Sequence, residues 1–256
     1  MSPVTVHTAD CALRITFDRP TSLNALTGEM LGEVSELVEK SAHDDDIRVI
    51  VLTGAGRAFS SGADIGEVNA DREVGPETLD NANRLIRAIR RVPKPVVAAV
   101  NGPAAGVACS IALAADLTVA AESAYFLLAF AGIGLMPDGG ATALVPAAVG
   151  RARAVRMAML GERIDARTAE EWGMISLAVP ADQFVTTVND LTAKLATGPT
   201  AAYAETKRAF NATALAQLET ALDVERAGQT ALFATADFAE GTAAFAAKRR
   251  PRFQGK

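Results

Sequence analysis

The order of patterns along this 256-residue chain predicts an α/β fold, on three observations. Short apolar runs alternate with longer stretches of helical spacing, the arrangement of parallel strands joined by helical crossovers. Two of those runs, residues 48–53 (RVIVLT) and 95–100 (PVVAAV), are almost continuously apolar and close on glycine-containing turns, as strands buried on both faces do. From Arg151 onward helical patterns take over and fill the C-terminal quarter.

The elements follow in order. Leu13, Ile15 and Phe17 alternate with Arg14, Thr16 and Asp18, the period of two of a half-buried strand, and Arg19-Pro20 ends it. After Thr27, the residues Met30, Leu31, Val34, Leu37 and Val38 recur at helical spacing until the polar cluster at 43–46. Strand 48–53 comes next, then a helix carrying Leu85, Ile86 and Ile89 that ends before Pro93, then strand 95–100. The small residues after Gly106 predict a tightly packed helix to Ala115, which leads into a strand at 117–121. Thr168 with Glu171 and Asp237 with Glu240 have the spacing of capping boxes and predict two helix starts. Gly198-Pro199 separates a helix bearing Phe184, Val188, Leu191 and Leu195 from the next one, and proline at the first helical position would start it. That pair divides the chain into residues 1–197 and 198–256.

Composition narrows the function. Half the residues are apolar and 21% are charged, a packed globular balance, and the net charge of −5 leaves no basic block able to hold a phosphate backbone. Nucleic acid is therefore not an expected partner. The longest nearly uncharged run, residues 103–115, falls short of the ~18 to 20 apolar residues a bilayer requires, so no membrane span is expected. With no basic-then-apolar leader pattern at the start, and with Cys11 and Cys109 far apart among apolar neighbours, the expectation is a cytoplasmic chain without disulfides.

No G-x-G-x-x-G follows a strand and no G-x-x-x-x-G-K-S/T occurs, so the usual dinucleotide and triphosphate cradles are missing. His7 and His43, the only histidines, support neither a serine-hydrolase triad nor a zinc site and read as solvated surface. Two glycine-bearing turns remain, residues 59–65 (FSSGADI) and 101–108 (NGPAAGVA), each after a strand. They are ordinary strand-to-helix connections, or else two loops whose unpaired amides hold one oxyanion. Residues 132–140 (GIGLMPDGG) set Asp138 among glycines just before an apolar stretch, where it is either a helix N-cap or a catalytic carboxylate. Trp172 and Phe245 read as core or interface residues.

Taken in order, Arg19-Pro20 with Asn24-Ala25-Leu26, residues 49–54, residues 59–65, residues 94–102, Ala115-Asp116 and the closing Lys248-Arg249-Arg250-Pro251 with Phe253 resemble the crotonase superfamily, also called the enoyl-CoA hydratase/isomerase family. The resemblance covers nearly the whole chain. It implies a spiral of β-β-α units, a helical C-terminal region that joins protomers into a homotrimer or a dimer of trimers, and an acyl-CoA thioester as substrate. No metal or redox cofactor is implied, coenzyme A being part of the substrate.

By motif position, the resemblance places the thioester oxygen on the backbone amides of Ala63 and Val107, an oxyanion hole for charge that builds next to the thioester. Val107 departs from the family, which usually has glycine there; its amide hydrogen survives, while the space around it and any need for positive φ are at stake. Ala25, Leu26, Ala63, Asp64 and Ile65 match segments lining the coenzyme A channel. Gly106, Ser110, Phe130 and Met136 fall around the acyl site, and Phe245 and Lys248 match the region that reaches coenzyme A, across a subunit boundary in some members. The two glutamates of the hydratases correspond to Ser110 and Phe130, which cannot hold a water between two carboxylates. Asp138 falls where several isomerases place their acid. The resemblance thus implies an enoyl-CoA isomerase with Asp138 as single acid/base, its pKa raised by Phe130, Leu135 and Met136. An enoyl-CoA hydratase and a non-catalytic acyl-CoA binding protein are the alternatives. A serine on a helix more commonly bonds a carbonyl one turn back than a ligand, which is the expectation for Ser110.

Overall fold

A computed structural model describes residues 2–65 and 77–256. Its main sheet has six strands in the order β1 (Val4–Ala9), β2 (Ala12–Phe17), β3 (Val49–Gly54), β4 (Val96–Val100), β6 (Leu117–Ala121) and β9 (Leu177–Val179). Only β1 and β2 pair antiparallel; every other neighbour is parallel, as the alternation with helices requires. A smaller sheet joins β5 (Ala104–Ala105), β7 (Tyr125–Leu127) and β8 (Ile164–Asp165).

The pleat sorts the continuous apolar runs onto two faces. Ile50, Leu52, Ala98 and Val100 enter one core with helices α1 (Gly28–Ser41), α2 (Glu77–Arg91) and α3 (Val107–Ala114). Val49, Val51, Val97, Ala99 and Val119 point the other way, against Phe184, Val188 and Leu195 of α7 (Phe184–Ala196). Both faces are therefore covered, which is why these strands read as uninterrupted β-branched sequence. In β2, by contrast, Leu13, Ile15 and Phe17 are buried while the residues between them are not.

Several local expectations are corrected. The first strand of the chain is β1, whose residues after Val4 are all exposed, so its short Val4–Val6 alternation marks no buried face. It turns into β2 through Asp10 and Cys11, both at positive φ (50° and 59°), as a tight two-residue hairpin needs. Neither proposed capping box forms. Asp165, not Thr168, caps α6 (Ala166–Glu171) by accepting the Thr168 amide at 2.9 Å. Thr235, not Asp237, caps α10 (Ala236–Ala246) by accepting the Phe238 amide at 3.1 Å. Cap-forming residues stand within one turn of each other at both sites, and the local pattern does not distinguish them. Pro199 is the N-cap of α8 (Thr200–Ala214) rather than its first residue. The preceding Gly198 leaves room for the Tyr203 ring, which packs directly on it.

Helix α8 is anchored by Lys207, whose Nζ meets Asp116 Oδ2 at 2.8 Å and donates to the Lys94 carbonyl at 3.1 Å. Asp116 also accepts the Val96 amide at 2.8 Å, so one carboxylate ties α8 to β4. Lys207 is buried, and removing its charge leaves Asp116 with the Arg90 guanidinium, 3.6 Å away, as its remaining ion-pair partner. The variant Lys207→Met is expected to lose about 2 kcal/mol in urea unfolding, the usual effect of deleting a hydrogen bond to a charged group. A loss below about 1 kcal/mol would mean that water already screens the pair.

Candidate active site

Strands β3 and β4 lie side by side and parallel, so the turns leaving their C-terminal ends emerge together. They then hydrogen-bond to each other. The Ser60 amide donates to the Pro103 carbonyl and the Ala105 amide to the Ser60 carbonyl, each at 3.0 Å. At the crossing both chains use glycine with positive φ, Gly62 at 94° and Gly106 at 56°. A Cβ on Gly62 would stand 2.7 Å from the Ala105 carbonyl oxygen, so only glycine lets the turns approach this closely.

Ala63 and Val107 each follow one of these glycines. Leu26 pairs with the loop by donating to Gly62 O at 2.8 Å and accepting from Asp64 N at 3.0 Å, which turns the Ala63 N–H to the opposite side. Val107 is the first residue of α3, where an amide has no partner one turn back. Among the described residues neither amide has an acceptor in the protein. Val107 has ordinary negative φ, since Gly106 makes the turn, so valine at this place costs no strain.

The third component is Asp138, 8% exposed, three residues before α4 (Ala141–Val149). It does not cap that helix. Gln229 Nε2 donates to its Oδ2 at 2.9 Å, while Oδ1 is buried with no partner among the described residues. Burial pushes the Asp138 carboxyl up to about 7, against the opposing effect of the Gln229 hydrogen bond and with help from the negative charge of Glu225. At the start of α4 the Ala141 amide donates to the Asp138 carbonyl at 3.3 Å, and the amides on either side of it belong to Glu225. Gly140 N–H donates to Oε2 at 2.6 Å, Thr142 N–H to Oε1 at 2.7 Å, and the Thr142 hydroxyl to Oε1 at 2.5 Å.

Ser110 Oγ donates to the Asp138 carbonyl at 2.7 Å, not to a carbonyl one turn back in α3, and so ties the two segments together. The neighbouring Gly139 packs on the same helix face: a Cβ there would lie 3.1 Å from both Val107 Cγ2 and Ser110 Cβ. Phe130 is buried, with its ring edge beside Gly106. Met136 is half-buried and rests on Gly228 of α9 (Leu218–Leu232). Ala25 and Leu26 are buried, and Ile65 is half-buried. Arg19 Nη1 donates to Ala25 O at 2.8 Å and to Asp64 Oδ2 at 2.7 Å, which fixes that wall.

Two expected residues stay outside the cluster. Phe245 is 62% exposed near the end of α10, so a core role is excluded for it, and Lys248 is exposed beyond the helix. Trp172 is half-buried against the core, with the Arg153 guanidinium 4.7 Å from its ring centre. His7 and His43 lie at the surface, and both cysteines are free.

Glu225 and Gln229 were not singled out from the sequence. A signal existed: Leu218, Leu222, Glu225 and Gln229 fall on one helical face, so the apolar stripe of α9 continues into two polar residues that are 1% exposed.

The Asp138 carboxyl is thus buried, and Ala63 and Val107 carry amides that have no acceptor among the described residues on two paired glycine turns. The sequence profile described as Enoyl-CoA hydratase/isomerase matches residues 8–256. The chain belongs to the enoyl-CoA hydratase/isomerase family. Its relatives carry both names. The 1,2-epoxyphenylacetyl-CoA isomerase of Escherichia coli K12 is 40% identical over 255 residues, covering 98% of this chain and 97% of the relative. The 2,3-dehydroadipyl-CoA hydratase of the same organism is 35% identical over 256 residues, covering all of both chains. A solved enoyl-CoA hydratase from Mycobacterium avium subsp. paratuberculosis K-10 superimposes with a TM-score of 0.93 at 46% identity, covering 99% of each chain. The crotonase fold expected from the sequence is thus the fold of this family member. Among the described residues no helix is long and apolar enough to cross a membrane.

Proposed function

We propose that this family member is an enoyl-CoA isomerase in which Asp138 is the single acid/base group. The observation that carries this reading is the buried Asp138 carboxyl, with one oxygen held by Gln229 and the other without a partner among the described residues. Asp138 Oδ1 takes a proton from C2 of a 3-enoyl-CoA. The negative charge moves to the thioester oxygen, where the Ala63 and Val107 N–H groups act as an oxyanion hole. The protonated Asp138 then delivers the proton at C4, giving the 2-enoyl-CoA, and the carboxylate is regenerated. One carboxyl suffices because the proton only changes carbons.

Hydration needs a second group to orient and deprotonate water. Ser110 is occupied by the Asp138 carbonyl, Phe130 has nothing to offer a proton, and both Glu225 oxygens are committed to α4. These commitments favour the isomerase over the hydratase. A non-catalytic binder would gain nothing from the desolvation cost of Asp138. In a homotrimer or dimer of trimers, the exposed Phe245 and Lys248 would be available to coenzyme A bound to a neighbouring protomer.

A paired assay tests the reading. Purified protein is expected to isomerise a 3-enoyl-CoA and to hydrate a 2-enoyl-CoA far more slowly. Faster hydration would overturn it, and acyl-CoA binding without turnover of either substrate would favour the binder. The pH dependence gives a second check. Since Asp138 must be ionised to take the proton, kcat/KM for isomerisation is expected to rise with pH and level off above about 7. A profile already flat at pH ~5, as an ordinary aspartate would give, contradicts the assignment.

A further inference from the structure

Asp138 stands two residues before Gly140, the N-cap of α4, at the spacing of an Asx turn to the Gly140 amide, yet its side chain makes no bond to the start of α4. The reason lies on another helix, far along the chain. On α9, Glu225 and Gln229 are one turn apart and both 1% exposed, and each makes its hydrogen bonds to residues 136–142. Glu225 fills the N-terminal amides of α4. Both its oxygens accept from N–H groups, which favours the ionised form against the burial that pushes the Glu225 carboxyl up. Gln229 is fixed at both ends: its Oε1 accepts the Met136 amide at 3.2 Å, so its Nε2 is aimed at Asp138 Oδ2 at 2.9 Å.

We propose that Glu225 and Gln229 form a positioning pair for the acid/base group, Glu225 by occupying the Gly140 amide that Asp138 would otherwise accept and Gln229 by holding Oδ2 so that Oδ1 alone exchanges the proton. The proposal rests on the assignment of Asp138 as the acid/base group. The pair also acts on the carboxyl in opposite senses. The Gln229 N–H stabilises the ionised form of Asp138, and the Glu225 charge opposes it.

The surroundings leave few competing charges. Residues 129–137 and 139–149, on the Asp138 segment and α4, carry none. From α3 come the Ser110 hydroxyl and the Cys109 thiol, which burial pushes up to about 12 and which faces Leu127. On α10, packed against residues 133–134, the Asp237 carboxylate is taken by the Gln254 and Gly255 amides at 2.6 and 2.8 Å. Glu225 is the charged group that acts on Asp138.

The test is a titration of the Asp138 carboxyl in full-length protein labelled with 13C at aspartate carboxyls, without substrate, the signal being assigned by its loss in Asp138→Asn. Gln229→Met keeps the bulk and removes the donor; it is expected to move the midpoint up by about one pH unit. Glu225→Gln keeps the shape, removes the charge and frees the Gly140 amide to draw the Asp138 carboxylate; it is expected to move the midpoint down. The acid limb of kcat/KM for isomerisation is expected to follow in the same two directions. Opposite displacements support the proposal, and any other pattern overturns it. If Glu225→Gln fails to fold, Gln229→Met decides alone, with no upward movement overturning the proposal. Because the titration needs no turnover, its result is separable from the isomerase reading, which fails instead if Asp138→Asn retains isomerase activity.

Discussion

Asp138→Asn is expected to lower kcat for isomerisation of a 3-enoyl-CoA by about 10³-fold while acyl-CoA affinity is retained. The substitution keeps the size of the side chain and leaves an oxygen to accept from Gln229, so the pocket wall survives and the proton acceptor does not. Activity within an order of magnitude of the parent would remove Asp138 from the mechanism. The same variant has a stability signature with a fixed sign. The carboxyl titrates near 7 when folded against 3.8 ordinarily, so between those values the folded chain holds a proton that the unfolded chain has lost. Stability contributed by the neutral form is present below about 4 and falls away as pH rises toward about 7. The asparagine side chain of the variant does not titrate. Relative to the parent, the variant should therefore gain about 2 kcal/mol between pH ~5 and pH ~8 in chemical unfolding. A constant difference across that range would show that Asp138 titrates normally.

Val107→Pro is expected to cost about 10² to 10³ in kcat/KM, the usual effect of deleting one oxyanion-hole donor. Position 107 permits a clean experiment. It is the first residue of α3, where proline fits and no helical hydrogen bond is lost. The preceding Gly106 lies at φ 56°, ψ −133°, outside the right-handed helical region that a following proline forbids. The variant should fold with a nearly unchanged melting temperature. Val107→Gly, which keeps the N–H and restores the residue usual in the family, should retain most activity. If the proline variant turned over substrate as fast as the glycine variant, the Val107 amide would have no part in catalysis.

The strands were legible where burial repeats along the chain. Residues 117–121 form the strand expected, and the runs at 48–53 and 95–100 become β3 and β4 with boundaries moved by one residue, because one apolar side chain after another meets a covered face. Strand β1 lacks that repetition, and β5 and β8, of two residues each, are too short to carry it. The caps of α6 and α10 were misplaced because Asp165 and Thr168, or Thr235 and Asp237, offer the same chemistry within one turn. In the site, the glycine turns and Asp138 stood out by residue type alone. The roles of Ser110, Glu225 and Gln229 did not, since each depends on a partner in another element.

What the sequence determined by itself, then, was the α/β class, the two turns whose glycines allow backbones to meet, and one carboxyl among apolar residues ahead of a helix. That this carboxyl does not cap the helix was decided only in three dimensions. Glu225, 85 residues from Gly140, takes the helix amides, and Gln229, 91 residues from Asp138, takes one carboxylate oxygen. Local periodicity reports which face of an element is buried. It carries no information about which distant donor or acceptor will satisfy a buried polar group, because that pairing is set by how the helices pack.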